Sequence, residues 1–75
     1  MRMSWKQRWY SDNIHGSFAD LSDAERKKDI HDVIWDDIGC LPFRVTRVKH
    51  RGNGIWAITV SGAPGIVNKI RANVE

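Results

Sequence analysis

Three basic residues alternate along one short stretch of the chain, and their spacing suggests a chemical use. Arg47, Lys49 and Arg51 lie two residues apart from one another. Side chains with this spacing project from one face of a β-strand, so the three cations would form a stripe. Such a stripe can contact phosphate groups of a nucleic acid. The alternative is that it only keeps an outer sheet face soluble and protects an edge strand.

Further cations can extend this stripe. Lys6, Arg8 and Tyr10 alternate in the same way near the N-terminus, and the tyrosine ring could stack on a base. Arg44 lies just ahead of the stripe. We therefore predict that a basic hairpin face is the binding site, formed by Arg47, Lys49, Arg51, Arg44, Lys6, Arg8 and Tyr10.

His50 lies between two of these cations and is the best candidate for catalysis. A histidine titrates near neutral pH and could act as a general base in phosphodiester cleavage. Small RNA-cleaving toxins of the HicA type use one histidine in a similar setting. However, the preferred hairpin register points His50 with Trp56 toward the helices, and no second acid–base group is placed. We predict a non-enzymatic protein without catalytic residues, with a HicA-like RNA-cleaving toxin as the alternative.

The sequence contains no pattern typical of a metal or cofactor site. Its three histidines and single cysteine, Cys40, lack the spacing of the four organised ligands that zinc requires. Asp29, Asp32 and Asp36 share one helix face, which we interpret as a solvated acidic surface. We therefore predict no metal, no cofactor and no small-molecule substrate.

Length and composition indicate one small domain. The 75 residues, 41% of them hydrophobic and 28% charged, suit a single folded unit over residues 1–75, with residues 1–16 as either an edge strand or a mobile arm. No apolar run approaches the ~18–20 residues of a membrane span, and no apolar leader segment is visible. The lone Cys40 cannot form an internal disulfide. We expect a cytoplasmic protein without a membrane partner; the oligomeric state stays open.

The charge alternates along the chain. Residues 1–10 carry three basic residues and no acid, residues 11–40 carry eight acidic and three basic residues, and residues 41–75 carry six basic residues and one acid. The basic segments favour nucleic acid or an acidic partner. The acidic middle segment argues against indiscriminate coating of polyanions and offers a second surface for a basic partner.

The clearest predicted element is a helix from about Asp23 to Ile38. Ser22 and Glu25 form a capping box at its start, and Gly39 followed by Pro42 ends it. Its apolar stripe is predicted to contain Ile30, Val33, Ile34 and Ile38. A second helix is predicted to begin at Pro64, with Ile66, Val67, Ile70 and Val74 at helical spacing.

A hairpin is predicted from about Phe43 to Val60. A three-residue loop, Gly52–Gly54, would place Val48 opposite Ile58, His50 opposite Trp56 and Thr46 opposite Val60. This register leaves Phe43 and Val45 on the wrong face, so a bulge or a later strand start is expected. A two-residue loop at Asn53 and Gly54 would instead set apolar side chains against charged ones.

The N-terminus is predicted to add a third strand. Met3, Trp5 and Trp9 alternate with polar residues, although Trp5 and Trp9 are also spaced as on a helix. A two-stranded hairpin is marginal by itself, which favours the strand. A turn-rich connection is expected at Asp12–Gly16. The predicted fold class is α+β, a small three-stranded sheet with two helices on one face, in the order β-α-β-β-α.

One local resemblance concerns residues 51–62, whose sequence is RGNGIWAITVSG. This segment resembles the wing hairpin of winged-helix domains, which is basic and ends in a similar Trp-x-Ile-Thr-x-x-Gly run. It is also similar to part of small phage-encoded inhibitors of bacterial RNA polymerase. The resemblance implies a regulatory protein whose partner is nucleic acid or a host protein complex that handles nucleic acid. A structural or assembly protein is a further alternative.

Overall fold

The computed structural model describes residues 1–9 and 18–74. A short 3-10 helix, Phe18–Asp20, precedes the first α-helix. The main elements, in chain order, are β1 (Arg2–Arg8), α1 (Asp23–Asp37), β2 (Arg44–Gly52), β3 (Ile55–Ser61) and α2 (Pro64–Val74). The predicted β-α-β-β-α order is confirmed. The turn expected at Asp12–Gly16 lies outside the described residues.

The three strands form one antiparallel sheet with β3 at its centre. β1 and β2 each pair with β3, so the N-terminal strand is confirmed and is an edge strand. On β3, Trp56, Ile58 and Val60 are buried and face the helices, while the side chains between them face the other way. This alternation follows from the two-residue period of a strand.

Helix α1 begins and ends where its capping residues require. The Glu25 backbone N–H donates to Ser22 Oγ, and the Ser22 backbone N–H donates to Glu25 Oε1, both over 3.2 Å. The interaction of the Glu25 carboxylate with the Ser22 hydroxyl, and then its hydrogen bond from the Ser22 backbone N–H, lower the pKa of Glu25. Their contribution to stability is therefore lost as the pH falls through that lowered pKa. At the other end Ile38 is the C-cap, and Gly39 has a φ of +86°.

The core lies between the helices and the sheet. Ile30 and Ile34 of α1 and the C-cap residue Ile38 are buried with residues of β3 and with Ile70 of α2. The placement of Val33 in this stripe was wrong, because Val33 is 45% exposed. Isoleucines four residues apart form one ridge, whereas Val33 precedes Ile34 by one residue and lies about 100° away around the helix axis.

The hairpin register is confirmed at its centre and wrong at one end. Val48 pairs with Ile58, and His50 pairs with Trp56, as predicted. However, Val45 rather than Thr46 pairs with Val60, because a β-bulge interrupts the ladder between Val45 and Arg47. The extra residue lets Val45 pack against the core while Arg47 stays on the opposite face.

The turn differs from the predicted three-residue loop. Gly52 pairs with Ile55, so the loop has two residues, Asn53 and Gly54, with φ of +54° and +74°. These angles suit a type I′ turn. A second bulge between His50 and Gly52 produces the register that the longer loop had predicted. Gly52 itself has a φ of +91°, whereas the first position of the predicted three-residue loop would take right-handed helical angles.

The conformation of Gly52 can be tested by adding a methyl group. A Cβ at Gly52 would meet no atom within 4 Å, so Gly52→Ala would introduce backbone strain alone. We expect it to lower the free energy of unfolding by about 1–2 kcal/mol, measured by urea denaturation. Gly65→Ala is the control, because Gly65 lies inside α2 with equally open space. There alanine should stabilise the protein by up to about 1 kcal/mol. Equal effects at both positions would contradict the second bulge.

Candidate functional site

The outer sheet face is the side of the sheet opposite to the helices. Its cations come from the two edge strands, three from β1 and four from β2, and all seven are exposed. They are Arg2, Lys6, Arg8, Arg44, Arg47, Lys49 and Arg51. Within the three described strands there is no aspartate or glutamate. The three strands therefore contribute charge of only one sign to the outer sheet face.

The strand register arranges these cations in two rows. Lys6 and Lys49 lie on either side of Ala57, and Arg2 and Arg44 lie on either side of Ser61. Neighbouring strands are about 4.8 Å apart, so the rows are separated by about 10 Å. Because β3 presents uncharged residues between the rows, the rows flank a low central strip.

A cleft of about 240 Å³ lies along this strip. Ala57 and Thr59 line it from the central strand, and Lys6, Lys49 and Arg51 line it from the edge strands. Ser4 also lines it, with its Oγ 2.7 Å from Thr59 Oγ1. Hydroxyl groups beside cations are common partners of phosphate oxygens. The cleft thus combines charge with hydrogen-bonding groups suited to an anionic ligand.

The structure brings together most of the predicted binding residues. Six of them share the outer sheet face, and the seventh, Tyr10, lies outside the described residues. Arg2 was missed, although it continues the same alternation two positions before Ser4. Trp5 pairs with Ile58 on the helix side and only borders the cleft. The described cations and hydroxyl groups of this surface suit contacts with phosphates.

His50 lies on the other side of the sheet. It pairs with Trp56, and the two ring centroids are 4.6 Å apart, so the predicted contact is present although His50 itself is exposed. Lys49 and Arg51 line the outer cleft instead. The strand alternation thus separates the imidazole from the cations that would hold a phosphate next to it.

The solvent-facing side of α1 carries opposite charge. We call Asp29, Asp32, Val33, Trp35 and Asp36 the acidic helix face. Asp29 Oδ2 accepts a hydrogen bond of 3.0 Å from Trp9 Nε1, so this aspartate also attaches the end of the first strand to α1. Val33 and Trp35 are 45% and 40% exposed. In the described part of the chain, no three His, Cys, Asp or Glu residues come together to hold a metal ion.

The site and fold together describe a small α+β protein with a cationic open sheet face. Comparisons with protein-family models, curated proteins and solved structures found no match. Within residues 1–9 and 18–74, neither helix has the length and apolar character needed to cross a membrane.

Proposed function

We propose that this chain is a small regulatory binding protein that acts on a nucleic-acid process, and that its outer sheet face binds the phosphates of a nucleic acid. The observation that supports this most is the pair of cationic rows, seven exposed Arg and Lys residues on either side of the uncharged strand β3. A surface with one sign of charge attracts a polyanion at long range and speeds its association.

The proposed mode of binding is positioning through the backbone of the nucleic acid. Long cationic side chains beside the hydroxyls of Ser4 and Thr59 suit phosphate oxygens, which carry no sequence information directly. Specificity would then come from the shape of the nucleic acid or from a second partner. Given the resemblance of residues 51–62 to phage-encoded inhibitors of bacterial RNA polymerase, a transcription complex is the second candidate partner for the same face.

RNA cleavage by His50 has less support, because the outer cleft and the imidazole lie on opposite sides of the sheet. If the purified protein cleaves RNA and a folded His50→Ala variant does not, RNA cleavage would take the place of binding as the proposed function. An assembly role without nucleic acid would be favoured instead if the cations of the outer sheet face had no effect on any binding.

The test is to remove the stripe on β2. We expect the variant Arg47→Gln, Lys49→Gln, Arg51→Gln to fold normally and to bind oligonucleotides more weakly. Duplex DNA, single-stranded DNA and RNA of equal length should be titrated by fluorescence anisotropy over a series of salt concentrations. Each lost phosphate contact should reduce the slope of log K against log salt by about one unit.

A matched control distinguishes the effect of losing charge on the outer sheet face from the effect of lowering the net charge of the protein. Lys28, Lys69 and Arg71 are exposed cations on the two helices, and changing all three to Gln removes the same charge elsewhere. The control should retain most of the salt slope. Equal losses in both variants would contradict a site on the outer sheet face. If the partner is an acidic protein surface, its binding should survive nuclease treatment, and the stripe variant should associate more slowly at low salt.

A further inference from the structure

Two surfaces of opposite charge lie on opposite sides of this molecule. The outer sheet face is cationic, and the acidic helix face lies on the far side of the layer formed by α1. Both are exposed, and within one molecule they cannot meet because the sheet and the core separate them. From this arrangement we propose that the acidic helix face of one copy docks on the outer sheet face of a second copy, in a head-to-tail assembly.

The width of the sheet surface fits a helix. The two cationic rows are about 10 Å apart, since each is about 4.8 Å from the central strand. An α-helix with its side chains is about 10–12 Å across. Ala57 and Thr59 are small, so the strip between the rows can receive the ridge of a helix while lysines and arginines contact it from both sides.

The spacing of charges along the two elements also matches. Asp32 and Asp36 are four residues apart on α1, which corresponds to about 6 Å along the helix axis. Arg47 and Lys49 are two residues apart on β2 and pair in regular register with Thr59 and Ala57, and residues so spaced lie about 6.6–6.8 Å apart along a strand. Two carboxylates of one copy can therefore face two cations of the next copy when α1 lies along the strands.

Apolar side chains on the helix would add area to these ion pairs. Val33 and Trp35 flank the two aspartates and are 45% and 40% exposed. Tryptophan is enriched where proteins bind each other, because its ring buries a large area. The acidic helix face thus has a charged centre with an apolar side chain on each flank, as a docking helix requires.

The contact uses different surfaces on the two copies, so one copy keeps its outer sheet face unused and the other keeps its acidic helix face unused. Such heterologous contacts produce rings or open chains instead of a closed two-fold dimer. Because the outer sheet face is also the proposed nucleic-acid surface, a docked second copy would cover it. Self-assembly and binding of nucleic acid would then compete.

The test is the solution mass of the protein as a function of concentration and salt. By sedimentation equilibrium, the average mass should rise above that of one 8.6 kDa chain as the concentration increases at about 0.01 M salt. It should return toward one chain at about 0.15 M salt, where the screening length falls from about 30 Å to about 8 Å. A mass of one chain at every concentration in low salt would overturn the proposal and leave the acidic helix face to a different basic partner.

Charge reversal identifies the two surfaces. The variants Asp32→Lys/Asp36→Lys and Arg47→Glu/Lys49→Glu should each remain at the mass of one chain in low salt, with unchanged far-ultraviolet circular dichroism. An equimolar mixture should associate again, because each variant keeps the one surface that the other has lost. The two pairs lie on different elements, so a folding failure in one leaves the other informative.

The control for net charge is Lys69→Glu/Arg71→Glu on α2, which changes the net charge as much as Arg47→Glu/Lys49→Glu does. It should still associate. Loss of association in this control as well, or no recovery in the mixture, would mean that a general charge effect and not the proposed docking explains the behaviour. These measurements use the protein alone, so their outcome does not depend on whether the protein binds nucleic acid.

Discussion

Replacing Trp56 by alanine is expected to lower the free energy of unfolding by about 3–5 kcal/mol. Trp56 is 3% exposed, and three side chains surround its ring. The Phe18 ring meets it edge-on at 4.8 Å, the Arg26 guanidinium lies 5.1 Å from its centroid, and the His50 ring lies 4.6 Å away. Small domains are stable by only about 5–15 kcal/mol, so this loss would remove much of the total.

The comparison is with Trp35→Ala, which removes the same side chain from an exposed position on α1. Its cost should lie near the ±0.5 kcal/mol range of surface substitutions. Unfolding should be followed by far-ultraviolet circular dichroism in urea, since fluorescence changes when a tryptophan is removed. Similar midpoints for the two variants would contradict the placement of Trp56 between the sheet and the helices.

The elements that carry their own start and stop residues could be predicted from the sequence. The capping box at Ser22 and Glu25 fixes the start of α1 through hydrogen bonds within four residues, and Gly39 permits the left-handed angle at its end. Pro64 begins α2 for a similar local reason. Such features depend on neighbouring residues alone, so a single sequence contains what is needed to find them.

The sequence predicted a bulge or a later strand start near Val45, but the position of that bulge and the existence of the second one, between His50 and Gly52, depend on packing across the sheet. The alternation of Arg47, Lys49 and Arg51 indicates a shared face, but it does not show how Val45 reaches the core. The bulge at Thr46 resolves that conflict, and Thr46 Oγ1 donates to the Thr59 carbonyl oxygen across the strands. This conflict is visible in the sequence, because a strict two-residue alternation that places Val48 on the core face places Val45 on the outer face.

The candidate site could be predicted only in part, for a similar reason. The residues of each cationic row follow from the strand period, but the existence of two rows depends on strand order. β1 pairs with β3 rather than with β2, and this places Lys6 across Ala57 from Lys49. No local pattern determines that order. The opposite charge on α1 was visible, whereas the hydrogen bond from Trp9 to Asp29 required the tertiary structure.

The core face of α1 can be distinguished from its outer face by two adjacent substitutions. Ile34 is 2% exposed and packs with residues of the sheet, so Ile34→Ala should lower the free energy of unfolding by about 2–5 kcal/mol. The loss combines removal of apolar atoms with a cavity that the surrounding side chains fill only partly. It should appear as a lower urea midpoint with an unchanged dependence on denaturant.

Val33→Ala is the matched control, because it shortens the neighbouring side chain at a position that is 45% exposed. Alanine has the higher helix propensity, by up to about 0.7 kcal/mol, and this gain should offset most of the lost apolar contact. The control should therefore lie within about 0.5 kcal/mol of the unaltered protein. A larger loss at Val33 than at Ile34 would mean that α1 is rotated about its axis, with Val33 in the core. In that case Asp29 and Asp36 would move toward the sheet, and neither the acidic helix face nor the proposed head-to-tail contact could exist.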